Sequence, residues 1–335
     1  MENNVIGGTG FKDRKTGLVV FGIVEIIFGV LFFLMAPLMI LGMLIASTLN
    51  RAPAAPMSAA TMIPGVLVYV LLAVWFVWMG IGSLKARRWA RALWLVASWI
   101  WLASGIIGMI TTAMFLPGMY DQMGNSNQIP PGFAGFLKIL SFGFMVIFYV
   151  IIPGVLILFY GSRHVKATCE RYDVQERWTD KCPLPVLALS LVLWFWTGSL
   201  LFTGLYGWAI PFFGVVLDGL AGAGVVLISM LLLGYAAWGV YRLRVRAWIC
   251  AVALVIAWGL SSVITFSRVT LLEYYEKMNL PAQQLELIKS FIQMPTFTIL
   301  LLIGLWIVVI LAYLLYTRRW FVNRAPGQGA GPGTV

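Results

Sequence analysis

Charge is what this sequence has least of. Only 10% of its 335 residues are Asp, Glu, Lys or Arg, against about a quarter in a soluble domain. Histidine is scarcer still, since His164 is the only one. Acid–base and metal chemistry lean on histidine, so those enzyme classes lose their usual means. There are three cysteines, Cys169, Cys182 and Cys250. Cys250 falls in an apolar run and the other two in a charged segment read as cytoplasmic, a reducing compartment in which no disulfide is expected. His164, Cys169 and Cys182 match no familiar zinc spacing and lack an evident fourth ligand. The chain has no phosphate-binding loop, no His-Glu-x-x-His and no Gly-x-Ser-x-Gly. The expectation is a protein that is not an enzyme, with no catalytic residue, no cofactor and no metal.

Apolar surface is what remains. The chain is 61% hydrophobic, with mean hydropathy +0.94. Apolar runs longer than about 18 residues recur throughout, as membrane-spanning helices require. Strands of a membrane barrel would alternate over about 10 residues, and these runs do not. The formal charge of +11 does not point to nucleic acid, because Lys and Arg sit in short clusters beside apolar runs, as topology determinants do. The expected partner is the lipid bilayer, with anionic headgroups against those clusters, and no nucleic acid. A membrane-protein partner or a homo-oligomer stays open.

Eight spans follow in order. The first runs over 17–48, too long for a cleavable signal, and Pro37 is expected to kink or end it. A Pro/Ala-rich loop, 51–62, leads to the second span, 63–83. The third covers 92–115, and a Gly/Pro/Asn-rich loop, 116–135, leads to the fourth, 136–160, with a kink near Pro153. The segment 163–182 is the most charged of the chain and reads as a cytoplasmic linker between two halves. The fifth span runs from Pro183 to about 206, the sixth over 215–241 after a tight turn at 208–211, the seventh over 247–266 and the eighth over 296–316. A longer loop, 268–295, precedes the eighth, and residues 324–335 are expected to be disordered. With both termini cytoplasmic, 18 of the 23 Lys and Arg fall on the inner side, the asymmetry that sets orientation.

One short pattern occurs twice. Gly80, Leu84, Lys85, Arg87, Trp89, Ala92 and Trp99 recur as Gly239, Leu243, Arg244, Arg246, Trp248, Ala251 and Trp258, all at an offset of 159. Each copy is a basic turn between apolar runs. Tyr120, Asp121 and Met123 recur as Tyr275, Glu276 and Met278, and Tyr160 and Arg163 as Tyr316 and Arg319. The fold class expected is therefore an all-α membrane protein of two four-helix repeats, 1–162 and 183–323. An even number of spans per repeat gives both the same orientation. Trp89 is expected to correspond to Trp248, and Arg87 to Arg246.

Two acids lie in or near the spans. Glu25 is about 12 Å above Gly17 along a helix, with Gly22 and Gly29 on its face, a pattern that suits close helix packing. A buried carboxylate is costly. The structural reading pairs it with Arg87, Arg88 or Arg91, and the functional reading makes it an ion-coupling site. Asp218, flanked by Gly214 and Gly222, falls near the outer end of the sixth span as an interfacial cap. The segment 281–293 is amphipathic, with Leu285, Ile288, Phe291 and Ile292 on one face, and would lie on the outer membrane surface or act as a lid.

The phrases RHVKATCERYD (163–173), WTDKCPLPVLALSL (178–191) and LKARRWARAL (84–93) resemble uncharacterised multi-pass membrane proteins of bacteria. That resemblance implies an inner (cytoplasmic) membrane location and attaches no activity or site. The leading expectation is a non-enzymatic membrane scaffold, partner or regulator. The alternative is a small-molecule transporter or channel with a path at the repeat interface, and an intramembrane enzyme comes third.

Overall fold

The computed structural model describes residues 11–48, 59–125, 133–278, 280, 285, 289 and 295–322. Among them, eight helices are long and apolar enough to cross a membrane. Leu158, Ile139 and Leu231 are each at least three-quarters exposed, an arrangement that only a lipid solvent makes favourable over whole helix faces. The chain is an integral membrane protein.

The chain divides into two compact units, built chiefly from residues 11–48 with 63–181 and from residues 182–322. The first holds α1 (Lys15–Thr48), α2 (Ala59–Leu84), α3 (Arg88–Asn125), α4 (Phe133–Val146), α5 (Ile152–Gly161) and α6 (Arg163–Tyr172). Helix α1 runs through Pro37 to Thr48 and does not end there, since neighbouring groups in a membrane bundle can tolerate a proline. Helix α3 continues to Asn125, ten residues beyond the expected end of the third span. The expected kink near Pro153 takes the form of a π turn, Ile147–Ile151, joining α4 to α5. There the ring nitrogen of Pro153 has no hydrogen to donate.

The segment read as a linker is folded onto the first unit. Val165, Thr168 and Cys169 of α6 are buried, and a 3₁₀ turn, Trp178–Asp180, packs against α3.

The second unit holds α7 (Leu184–Ser199), a 3₁₀ segment (Leu200–Tyr206), β1 (Ile210–Phe212), β2 (Val215–Leu217), α8 (Gly219–Tyr241), α9 (Val245–Phe266), α10 (Leu271–Glu276), α11 (Thr296–Thr317) and α12 (Arg319–Val322). The sixth span starts at Gly219 rather than 215, because 215–217 pairs with 210–212 in an antiparallel hairpin. Gly214, at φ +100, allows that two-residue turn. Its edge is held by α9: the Phe213 N–H donates to Ser261 Oγ at 2.9 Å and the Gly214 N–H to Thr265 Oγ1 at 3.0 Å. The core of this unit gathers Val186, Leu193, Leu233, Val240, Ala251 and Leu314. The amphipathic segment 281–293 lies outside the described residues apart from Leu285 and Lys289, and the tail 324–335 lies wholly outside them.

A buried polar cluster as candidate functional site

Helices α1 and α2 meet closely because glycine faces glycine. A Cβ on Gly22 would stand 2.8 Å from the Gly80 carbonyl oxygen, so only a bare backbone permits the approach. One turn further along α1 stands Glu25. Its Oε1 lies 2.7 Å from the Tyr160 hydroxyl and its Oε2 lies 2.9 Å from the Ser83 hydroxyl. Ser83 and Tyr160 are themselves 2.9 Å apart. The three form a closed ring of oxygens. Ser83 is the penultimate residue of α2 and Tyr160 of α5, so three helices contribute one group each. Glu25 is 4% exposed, Ser83 1% and Tyr160 0%.

Trp94 of α3 stacks on Tyr160 with centroids 6.2 Å apart. Its indole N–H lies toward the Glu25 carboxyl without reaching hydrogen-bond geometry. One turn back along the same face, Arg91 buries an Nε that also has no partner among the described residues.

The expected pairing of Glu25 with a basic turn residue is not what the fold makes. Asp173 takes the guanidiniums instead. This carboxylate is 2% exposed. It accepts from Arg87 Nη1 at 3.1 Å, from Arg177 Nη2 at 2.6 Å and Nε at 3.0 Å, and from the Arg88 N–H at 3.3 Å. Its own carbonyl accepts from Arg88 Nε at 2.6 Å. Asp173 thus ends α6 and caps the start of α3, where a carboxylate suits the helix dipole. The Arg177 guanidinium foremost, with the Arg88 N–H and Arg87, holds the Asp173 carboxyl below the usual carboxylate range, against the opposing effect of burial.

Nearby, burial pushes the Cys169 thiol up to about 12, and burial alone pushes Cys182 up to about 11. Both thiols are free. The N-terminal arm closes over α6: the Arg14 N–H donates to Thr168 Oγ1 at 3.0 Å and the Lys12 N–H to His164 Nδ1 at 3.2 Å.

Asp218 is not inside a span. It is the N-cap residue of α8 by backbone position, and its carboxylate stands 3.4 Å from Lys277 Nζ with both side chains about half exposed, 46% and 55%. Gly214 shares no helix face with it.

The two basic turns share one backbone geometry, at a register other than the expected one. In the first unit the Arg87 N–H donates to the Gly82 carbonyl and the Ala86 N–H to that of Ser83. In the second the Arg244 N–H donates to Gly239 and the Leu243 N–H to Val240. Ala86 and Leu243 carry φ of 47 and 57. Both are the same helix C-terminal motif with a left-handed residue, and the offset is 157. Lys85 therefore corresponds to Arg242, Arg87 to Arg244, and Trp89 to Arg246. Trp248 takes the place of Arg91. The expected overlays of Trp89 on Trp248 and Arg87 on Arg246 are corrected by two residues. Trp89 stacks on Trp78, centroids 4.6 Å apart, whereas Trp248 donates its indole N–H to the Leu314 carbonyl at 3.1 Å.

The second unit also holds an open groove of about 390 Å³ lined from α7, α9, α10 and α11. Trp196, Trp258, Trp306, Leu302 and Ile310 line it, with the Ser262 hydroxyl among them.

Sequence reading singled out Glu25 and missed Ser83, Tyr160, Trp94 and Asp173. A usable signal for the first two was their place one residue before a helix end, where a polar side chain in an apolar run can turn inward. For Asp173 there was only its membership of a charged segment. Comparison with protein-family models, with curated proteins and with solved structures returns no match.

Proposed function

We propose that this chain is a non-enzymatic membrane scaffold, partner or regulator, built as two four-helix halves of like orientation with both termini cytoplasmic, in a bacterial inner membrane. The observation that carries the reading is how the first unit uses its buried polar groups. Glu25, Ser83 and Tyr160 bond to one another, and Asp173 is enclosed by Arg87, Arg88 and Arg177. These groups bond to one another and so hold helices together.

The orientation rests on the Lys and Arg asymmetry. Reporter fusions after Arg88, Arg171, Arg244 and Arg324 should read cytoplasm, and fusions after Asn125 and Lys277 the far side. For the role itself, photo-crosslinkers placed one at a time at the exposed Leu158, Ile139 and Leu231 should capture the same membrane protein from one face and not from the others. Uniform labelling by lipid from every face would remove the reading.

The alternative is a small-molecule transporter or channel, and the observation beside it is the open apolar groove of the second unit. Its apolar lining suits an acyl chain or another apolar solute better than an ion. Purified protein in liposomes should leave proton and small-ion gradients intact under the leading reading. A specific flux in that assay would replace it with the alternative.

A further inference from the structure

Three oxygen–oxygen contacts at hydrogen-bond distance need three protons. The ring at Glu25 has contacts of 2.7, 2.9 and 2.9 Å. Ser83 and Tyr160 each own one hydroxyl proton. If Glu25 were a carboxylate, the two protons could fill only two of the three contacts, and the third would press two oxygens together with nothing between them. If Glu25 carries a proton, every contact is satisfied. Tyr160 donates to Oε1, the acid donates from Oε2 to Ser83, and Ser83 donates to Tyr160; the reverse circuit works equally well. We propose that this ring is a proton-binding site, in which Glu25 is held as the neutral acid and the bound proton closes the contact between the ends of α2 and α5.

The surroundings favour a proton over a metal cation. A cation would need several oxygens pointing inward at longer range around it, whereas these oxygens touch one another. A neighbouring guanidinium is the usual compensation for a buried carboxylate; Arg87 and Arg88 are engaged by Asp173, and the Glu25 oxygens are taken by Tyr160 and Ser83 and not by Arg91. The groups that face the ring from each packed element are few. Helix α3 presents Trp94 and, one turn back, Arg91; α5 presents Tyr160 itself; α6 presents Cys169, close enough to act on both Tyr160 and Arg91. Helix α2 presents only Ser83 before its turn at Lys85.

The site is more than local cohesion. Tyr160 is followed after two residues by α6, which carries Asp173 and the basic enclosure. Ser83 is followed after one residue by the turn that supplies Arg87. Removing the proton would leave Ser83 and Tyr160 both donating to Glu25 and their mutual contact repulsive. The ends of α2 and α5 would then separate, and the turn and α6 are attached to those ends. Proton occupancy is thereby linked to how closely the charged segment seats on the first unit. The inference does not depend on whether the chain is a partner or a transporter.

Infrared spectroscopy of the full chain in lipid bilayers tests it. At neutral pH the wild-type protein should show a protonated-carboxyl carbonyl band that shifts in heavy water and is lost in Glu25→Gln. In Ser83→Ala and in Tyr160→Phe the band should move in frequency or be lost, because the closed ring that calls for the third proton is broken. These two variants also assign the band if Glu25→Gln does not fold. A folded wild-type protein with no such band overturns the proposal, and so does a band unmoved by both ring substitutions.

Discussion

Asp173 is where the charged segment is fastened to the membrane-embedded helices, and removing it should measure that fastening. In Asp173→Ala the start of α3 loses its cap at the Arg88 N–H, a change worth about 1 kcal/mol. Charge-assisted bonds from Arg87 and Arg177 are lost as well, each worth about 1.5–3 kcal/mol in isolation. They do not add in full. The Arg87 and Arg177 side chains are 36% and 29% exposed, so they can turn to water once released, which keeps each well below a buried pair. The expected cost is about 2–3 kcal/mol. Asp173→Asn keeps an oxygen for the cap and loses the charge, so it should cost about half as much.

The pH dependence follows from the direction of the Asp173 shift. Its folded carboxyl titrates below the usual range, so the stabilisation is complete above about pH 4, the unfolded value. It declines as pH falls through the lower folded value. Denaturing-detergent titrations should therefore show wild type well above Asp173→Asn near neutrality, with the gap closing in strong acid. The reasoning is refuted if Asp173→Ala lies within about 0.5 kcal/mol of wild type, or if the gap to Asp173→Asn does not change with pH.

Three further outcomes are expected. Gly82→Ala and Gly239→Ala should both destabilise, since a Cβ at Gly82 would meet the Ala90 Cβ at 2.6 Å and one at Gly239 would meet Ala247 closer still. Gly224→Ala, with nothing within 4 Å, should instead gain about 0.5–1 kcal/mol in the same detergent titration. Cys169 and Cys182, buried and with thiols pushed up to about 12 and about 11, should resist maleimide near neutrality until denaturant is added; rapid labelling of the folded protein would contradict their burial. Asp218→Asn should change stability by less than about 0.5 kcal/mol, because its pair with Lys277 is half exposed; a larger loss in thermal unfolding would give Asp218 a role the geometry does not.

The spans could be read because a membrane asks only for length and apolarity, and long uninterrupted runs such as 296–316 satisfy both. Helix ends were harder. The basic turns were found, yet their register was taken from Trp89 and Trp248, which look alike and do different work. Backbone hydrogen bonding sets the register, and it follows Gly82 and Gly239, whose missing side chains carry little weight in a pattern search. The sixth span is expected from 215 because Val215 to Leu217 reads as apolar, and a three-residue strand cannot be told from a helix start at that length; the strand leaves Asp218, read as an interfacial cap, at the N-cap of α8. Glu25 stood out as a charge in an apolar helix. Its partners did not, because hydroxyl groups at Ser83 and Tyr160 cost little in a hydropathy count, and their convergence depends on how α2 and α5 end. The segment 163–182 was legible as charged, but its folding onto α3 depends on Asp173 finding the start of that helix.

The corrected register separates what the two units share from what they do not. At offset 157 the shared positions are Gly82 with Gly239, Lys85 with Arg242, Arg87 with Arg244, and Ala90 with Ala247. The two glycines and two alanines let the helices of each hairpin approach, and the basic residues mark the turn. Ser83 corresponds to Val240, Arg91 to Trp248, and Trp94 to Ala251. In the second unit Val240 and Ala251 are fully buried in an apolar core, and Trp248 has its N–H satisfied. The same hairpin is thus built without any buried acid. A ring of Glu25, Ser83 and Tyr160 is not a requirement of the hairpin's backbone, and its cost in desolvated polar groups is carried by one unit alone. The cluster joins α1, α2 and α5 in that unit alone, and the proton proposed at Glu25 would complete its bonds.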